Sequence, residues 1–203
     1  SLLASTAFIT YLTLYFSNNI YDEIIVDSVF QAVSIGTTSG FLTSNYSNWP
    51  LFVPIMLLIA AFIGACAGST GGGIKMIRVL VLYKQGGREL KKLTHPQSVV
   101  PVKIGGKILL PEIAESVWGF FSVYILAYVF LTTLMLLYGS DFITSFSAVG
   151  ASINNLGPGL GDVSQNYNSL NDISKITLSF SMILGRLEIY TLLVLMTPFF
   201  WKS

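Results

Sequence analysis

Apolar residues run from Leu2 to Phe16 with only Ser and Thr admixed, until Asn18-Asn19 ends the run. This predicts a helix slightly short of the ~20 residues that cross a bilayer. Tyr21 to Val33 follows with acidic residues in its first turns. It predicts a half-length helix, too short to span and suited to a re-entrant position. It leads into a small, polar, glycine-containing stretch, Ser34-Ile-Gly-Thr-Thr-Ser-Gly-Phe41. After Asn48-Trp49-Pro50, with Pro suited to a helix start, Leu51 to Ile63 is apolar again. The pattern breaks at Gly64-Ala-Cys-Ala-Gly-Ser-Thr-Gly-Gly-Gly73 and resumes from Ile74 to Tyr83. Each interior Gly costs a helix roughly 1 kcal/mol relative to Ala, so a broken membrane helix is predicted.

The second part of the chain repeats this order. Ile113 to Tyr138 predicts a spanning helix, and Asp141 to Val149 another half-length helix. The polar stretch Ala151-Ser-Ile-Asn-Asn-Leu-Gly-Pro158 comes next, then an outer loop over 159–171. A final helix, capped by Asp172 and running to Trp201, carries Arg186 and Glu188. Phe30-Gln-Ala-Val33 resembles Phe146-Ser-Ala-Val149, although beyond these tetrapeptides the two loops are offset by one residue. The expected fold is an all-α integral membrane protein of two helix–pore-loop–helix repeats, with a glycine-rich break in the second helix of the first. The repeats occupy 1–85 and 112–203, joined by a basic linker over 86–111.

Composition narrows the class. The chain is 53% hydrophobic and 10% charged, with a mean hydropathy of +0.69, whereas soluble domains carry about 25% charged residues. Eight of the eleven Lys and Arg lie between Lys75 and Lys107. Basic residues beside membrane spans mark the cytoplasmic side, and the flanking apolar helices argue against nucleic acid as their partner. Both polar loops then open outward, among Asp22, Glu23, Asp27, Asp141, Asp162 and Asp172 against Lys175 alone. An acidic vestibule concentrates cations. Cys66 and His95 are single and far apart, so neither a disulfide framework nor a Cys/His metal site is expected.

A polar stretch between membrane-crossing segments is tolerated only where its backbone is buried in protein or lines water. Inward-turned carbonyls in such a stretch can replace an ion's hydration shell. Thr37, Thr38, Ser39 and Gly40 are the candidates in the first loop, and Asn154, Asn155, Leu156 and Gly157 in the second. Each loop alone reads equally well as an ordinary turn; the pairing favours a filter. Both half-helices point their C-termini at their loops and add negative partial charge there. The glycine run is no phosphate cradle, because Ile74 separates Gly73 from Lys75 and a membrane helix precedes it. Close helix packing through small residues is one account of it. Arg186 is costly within a membrane span and by default marks function; a structural ion pair is the alternative.

Four segments together, Thr37-Thr-Ser-Gly-Phe41, Gly68-Ser-Thr-Gly-Gly-Gly-Ile-Lys75, Asn154-Asn-Leu-Gly-Pro-Gly159 and Gly185-Arg-Leu-Glu-Ile-Tyr190, resemble the superfamily of potassium transporters. They are most similar to the bacterial Trk potassium-uptake membrane subunit (the TrkH/TrkG type), across the last two of its four repeats. The resemblance implies a four-loop filter for K+ around one path in the bacterial inner membrane. It also implies a homodimer and a cytosolic nucleotide-binding regulatory subunit. Gly64, Gly68, Gly71, Gly72 and Gly73 would form a gate beneath the filter, and Arg186 a pore-facing barrier to cations. Two loops cannot ring an ion, so either two further repeats lie ahead of Ser1, which is the expectation, or two chains assemble. The resemblance implies potassium uptake and no catalysis. A sodium-selective or weakly selective transporter on the same scaffold is the alternative. A membrane-embedded enzyme would lack a catalytic constellation, and a scaffold subunit would leave both loops unexplained.

Overall fold

A computed structural model of the chain describes residues 2–17, 23–64, 73–95 and 100–186. The described part is mostly helical: α1 (Leu2–Phe16), α2 (Ile24–Gly36), α3 (Phe52–Ile63), α4 (Met76–Thr94), α5 (Pro111–Leu137), α6 (Phe142–Ile153) and α7 (Asp172–Arg186). A hairpin of β1 (Lys103–Ile104) and β2 (Lys107–Ile108) is the sole sheet among the described residues. Its two-residue turn, Gly105-Gly106, has φ of 57° and 81°, the left-handed pair that a tight hairpin requires.

α5 alone among the described helices is long and apolar enough to cross a bilayer, with 26 residues from Glu112 to Leu137 at a hydropathy of 2.2. At 1.5 Å per residue these rise about 39 Å. Leu126, Phe130 and Leu137 stand exposed on it, as do Ile173, Ile176 and Phe180 on α7. Outward aliphatic and aromatic rows of this kind suit hydrocarbon better than water. The opposite face of α7 buries Ser174, Leu178, Ser181 and Leu184. That spacing forms one helical stripe, and its serines allow close helix approach.

Two clusters hold the interior together. One joins Tyr124, Tyr128, Leu131 and Met135 of α5 to Ala148, Val149 and Ile153 of α6 and to Leu178 and Leu184 of α7. The other joins Leu14 of α1, Ala32 and Ile35 of α2, and Val53, Leu57 and Ala61 of α3 to Ala151, Leu156 and Leu160. The first part of the chain is therefore packed onto the second polar loop, not merely tethered to it.

Four element boundaries differ from the sequence expectation. α2 and α6 continue to Gly36 and Ile153, so the first three residues of each predicted loop are helical. Ser34 and Ser152 do not break their helices, since the carbonyls around them are met by the loop amides that follow. α4 runs past Tyr83 to Thr94, because Leu90, Lys91 and Lys92 carry the helix beyond Gly86-Gly87. Asp172 is the first residue of α7 rather than its cap; Asn171 precedes it and accepts from the Lys175 amide at 3.0 Å. The predicted stretch to Trp201, with Glu188, lies outside the described residues.

Candidate functional site

The two polar loops have the same backbone. α2 ends at Thr37 (φ −95°, ψ 1°) and α6 at Asn154 (φ −87°, ψ −3°). The next residue is left-handed in both, Thr38 at φ 57° and Asn155 at 53°. Gly40 and Gly157 follow at φ 78° and 101°.

The hydrogen bonds match as well. The Ser39 amide donates to the Ser34 carbonyl at 2.8 Å, and the Leu156 amide to the Ala151 carbonyl at 2.8 Å. The Thr38 and Asn155 amides reach the Ile35 and Ser152 carbonyls, each at 3.0 Å. This pair of bonds is a Schellman motif, closed here by Thr and Asn where Gly is usual. Asn tolerates the left-handed region; a β-branched Thr at φ 57° is strained and costs on the order of 1–3 kcal/mol.

Side chains repeat the pattern. Thr37 Oγ1 donates to the Val33 carbonyl at 2.7 Å, and Asn154 Nδ2 to the Gly150 carbonyl at 2.8 Å. The equivalent pairs are thus 37 with 154, 38 with 155, 39 with 156 and 40 with 157. The similar tetrapeptides, which pair Phe30 with Phe146, are one residue out of step with this equivalence.

The eight loop residues fall together, but their side chains divide. Asn154 is fully buried, and its Oδ1 accepts from the Tyr124 hydroxyl at 2.9 Å. Leu156 is 3% exposed within the second core cluster. Thr37 Oγ1 is engaged by Ser39 Oγ at 2.9 Å. Thr37 and Ser39 are exposed, and Thr38, Gly40 and Asn155 are half-buried. The loops also touch: a Cβ on Gly40 would stand 2.0 Å from the Leu156 carbonyl oxygen.

Two tyrosines from the outer segments hold the second loop. The Tyr46 hydroxyl donates to the Gly159 carbonyl at 2.8 Å, and the Tyr167 hydroxyl to the Gly157 carbonyl at 2.5 Å. Burial pushes the Tyr167 phenol up to about 12 and raises that of Tyr46 further still, so both remain protonated donors. Sequence reading missed Tyr46, Tyr124 and Tyr167. Their partners lie up to 113 residues away, and a lone tyrosine carries no periodic signal.

Of the residues expected to gate, Gly64 follows α3 directly, and a Cβ there would stand 1.8 Å from the Gly36 carbonyl oxygen. Gly73 lies where a Cβ would be 3.1 Å from Asn154 Oδ1 and 3.0 Å from the Phe62 carbonyl oxygen. The adjacent Ile74 amide donates to that same carbonyl at 3.0 Å. The chain therefore returns from the glycine run to the end of α3, beside the second loop. Gly68, Gly71 and Gly72 lie outside the described residues. Arg186 is exposed and ends α7. In the acidic set, Asp141 caps α6, and hydrogen bonding from Thr144 holds its carboxyl below the usual range. Asp27 accepts from Thr43 Oγ1 at 2.7 Å, and Asp172 pairs with Lys175 at 3.6 Å. Asp22 lies outside the described residues.

Residues 7–203 match the family described as TrkH, cation transport protein. The chain belongs to that family. The Trk system potassium uptake protein TrkH of Vibrio parahaemolyticus is 52% identical over 87% of this chain and 36% of its own length. The Escherichia coli K12 TrkH is 49% identical over 95% of this chain and 40% of its own length. The E. coli TrkG is 44% identical over 88% and 37%. The crystal structure of the potassium transporter TrkH from V. parahaemolyticus covers 99% of this chain at a TM-score of 0.90 and 46% identity, over 43% of that protein. The chain thus spans about two-fifths of the length of these relatives. TrkH-family members are membrane-embedded, in bacteria in the inner membrane, and the named relatives are transporters, not enzymes.

Proposed function

We propose that this chain forms two of the pore repeats of a potassium-uptake protein, and that its two polar loops supply two adjacent quarters of one cation filter. The observation that carries this is the shared backbone of the loops, with left-handed residues at Thr38 and Asn155 and again at Gly40 and Gly157. Alternating handedness turns successive peptide groups to one side, as coordination by backbone oxygens needs. The buried side chains of Asn154 and Leu156 support the same assignment. α2 and α6 add the negative ends of their dipoles at the loops. The choice of potassium over another cation is supported by the relatives, which are potassium uptake proteins.

The basic segment at 86–111 faces the cytoplasm and the loops face outward. The glycine run gates the path beneath the second loop, consistent with Gly73 beside Asn154. Arg186 faces the pore as a barrier to cations. Two further repeats of the same protein complete the ring. A homodimer and a cytosolic nucleotide-binding regulatory subunit complete the assembly. The test is growth at low potassium, with rubidium uptake, of an import-deficient strain carrying the full-length protein. Restored growth and uptake support the proposal. Membrane insertion without either, or growth rescue only by sodium flux, contradicts it.

A further inference from the structure

The groove between the polar half of α4 and the chain entering β1 shares no lining residue with the two polar loops. Its volume is about 580 Å³, inside the range of roughly 300–1,000 Å³ typical of small-molecule sites. Lys84, Arg88 and Lys91 line it at helical spacing on one face of α4, and Lys103 lines it from the facing segment. Among the described residues no carboxylate lines it. Lys84 Nζ donates to the Lys103 carbonyl at 2.5 Å, which fixes the two walls together and spends one of three ammonium protons. Arg88 is held in place by Glu89 at 3.1 Å.

The floor of the groove is unusual. Gly86 and Gly87 sit inside a helix, which glycine weakens. A Cβ at either would meet nothing within 4 Å. Among the described residues no close contact accounts for them. Their effect is to lower the groove floor between the cationic side chains.

The remaining lining is apolar: Tyr83, Leu90, Val100, Pro101 and Val102. The groove also sits at a definite depth. Val81, one turn before Lys84, is buried against Ala114 and Val117 at the start of the membrane-length helix. Cations and apolar surface at the end of a span match a headgroup phosphate with its glycerol and first methylenes. Free phosphate would make no use of the apolar wall.

We infer that this groove binds the phosphate headgroup of an anionic phospholipid of the inner leaflet. The leaflet assignment rests on the cytoplasmic placement of 86–111 proposed above.

The test is thermal unfolding of the full-length protein in neutral detergent, titrated separately with short-chain phosphatidylglycerol, phosphatidylcholine and inorganic phosphate. Phosphatidylglycerol alone should raise the midpoint. Exchanging Lys84, Arg88, Lys91 and Lys103 for Gln should raise the concentration required about tenfold or more. Gly87→Leu should blunt the response while leaving the lipid-free midpoint unlowered. An equal response in both variants and the wild type would overturn the site. A rise with inorganic phosphate alone would overturn the lipid assignment, as would loss of a cytosolic protein partner in the charge variant with its phosphatidylglycerol response intact. Gly87→Cys in a Cys66→Ser background separates this from the topology: labelling by an impermeant reagent outside cells would overturn the inner-leaflet placement, while the detergent titration still reports on the groove.

Discussion

Gly185 of α7 lies against the carbonyl oxygen of Ile153, the last residue of α6, where a Cβ would stand 1.8 Å from that oxygen. Gly64 stands in the same relation to Gly36, also at 1.8 Å. In both cases the helix that follows the loop passes directly beside the C-terminus of the short helix that precedes it. No side chain fits between them, so the position of each loop is set by a backbone-to-backbone approach.

Gly64→Ala and Gly185→Ala should therefore displace the ends of α2 and α6. Overpacking of this kind costs about 1–3 kcal/mol. We expect a lower unfolding midpoint and loss of rubidium uptake from either change in the full-length protein. Wild-type uptake by both variants would show that the loops are positioned by something else.

Tyr167→Phe removes the donor to the Gly157 carbonyl. One neutral hydrogen bond is worth about 1 kcal/mol, so folding should survive. The carbonyl becomes free to turn, and the ratio of rubidium to sodium flux should fall several-fold. An unchanged ratio would place the Gly157 carbonyl off the ion's path.

Tyr124→Phe leaves Asn154 Oδ1 buried without its donor. A buried unsatisfied acceptor costs roughly 1–3 kcal/mol, and chemical denaturation should report a loss of that size. Tyr124→Phe combined with Asn154→Leu should lose less than the sum of the two single changes, which a double-mutant cycle measures.

Asp141 caps α6, accepting from the Thr144 amide at 3.3 Å. Its carboxyl titrates below the usual range because Thr144 hydrogen bonds favour the ionised form. Its contribution is thus complete above the ordinary carboxylate value and fades as pH falls through the lowered one. Asp141→Ala should cost about 1 kcal/mol at neutral pH. Asp141→Asn should retain most of the cap and flatten the acid limb of the stability curve, read from unfolding midpoints across pH.

Much of this arrangement was legible in the chain. Long apolar runs marked the helices, and Gly40 and Gly157 marked backbone that had to leave the right-handed region. The loop boundaries were less legible, because Ser34, Gly36 and Ser152 look like loop residues yet sit in final helical turns. The similarity of Phe30–Val33 to Phe146–Val149 was legible together with the one-residue offset of the loops beyond it, and the matched loop backbones carry that same offset. Gly86-Gly87 suggested a linker where α4 continues. Contacts such as Tyr46 to Gly159 or Gly185 to Ile153 are tertiary, and no local pattern announces them.

Selectivity of the full-length protein carrying Gly40→Ala tests the filter most directly. Gly40 has φ 78°, and a Cβ would meet the Leu156 carbonyl oxygen at 2.0 Å, so the change strains both loops at their contact. The measurement is the ratio of rubidium to sodium flux in proteoliposomes holding folded, inserted protein. The filter assignment predicts a ratio that collapses toward one; an unaltered ratio with undiminished rubidium flux would contradict it.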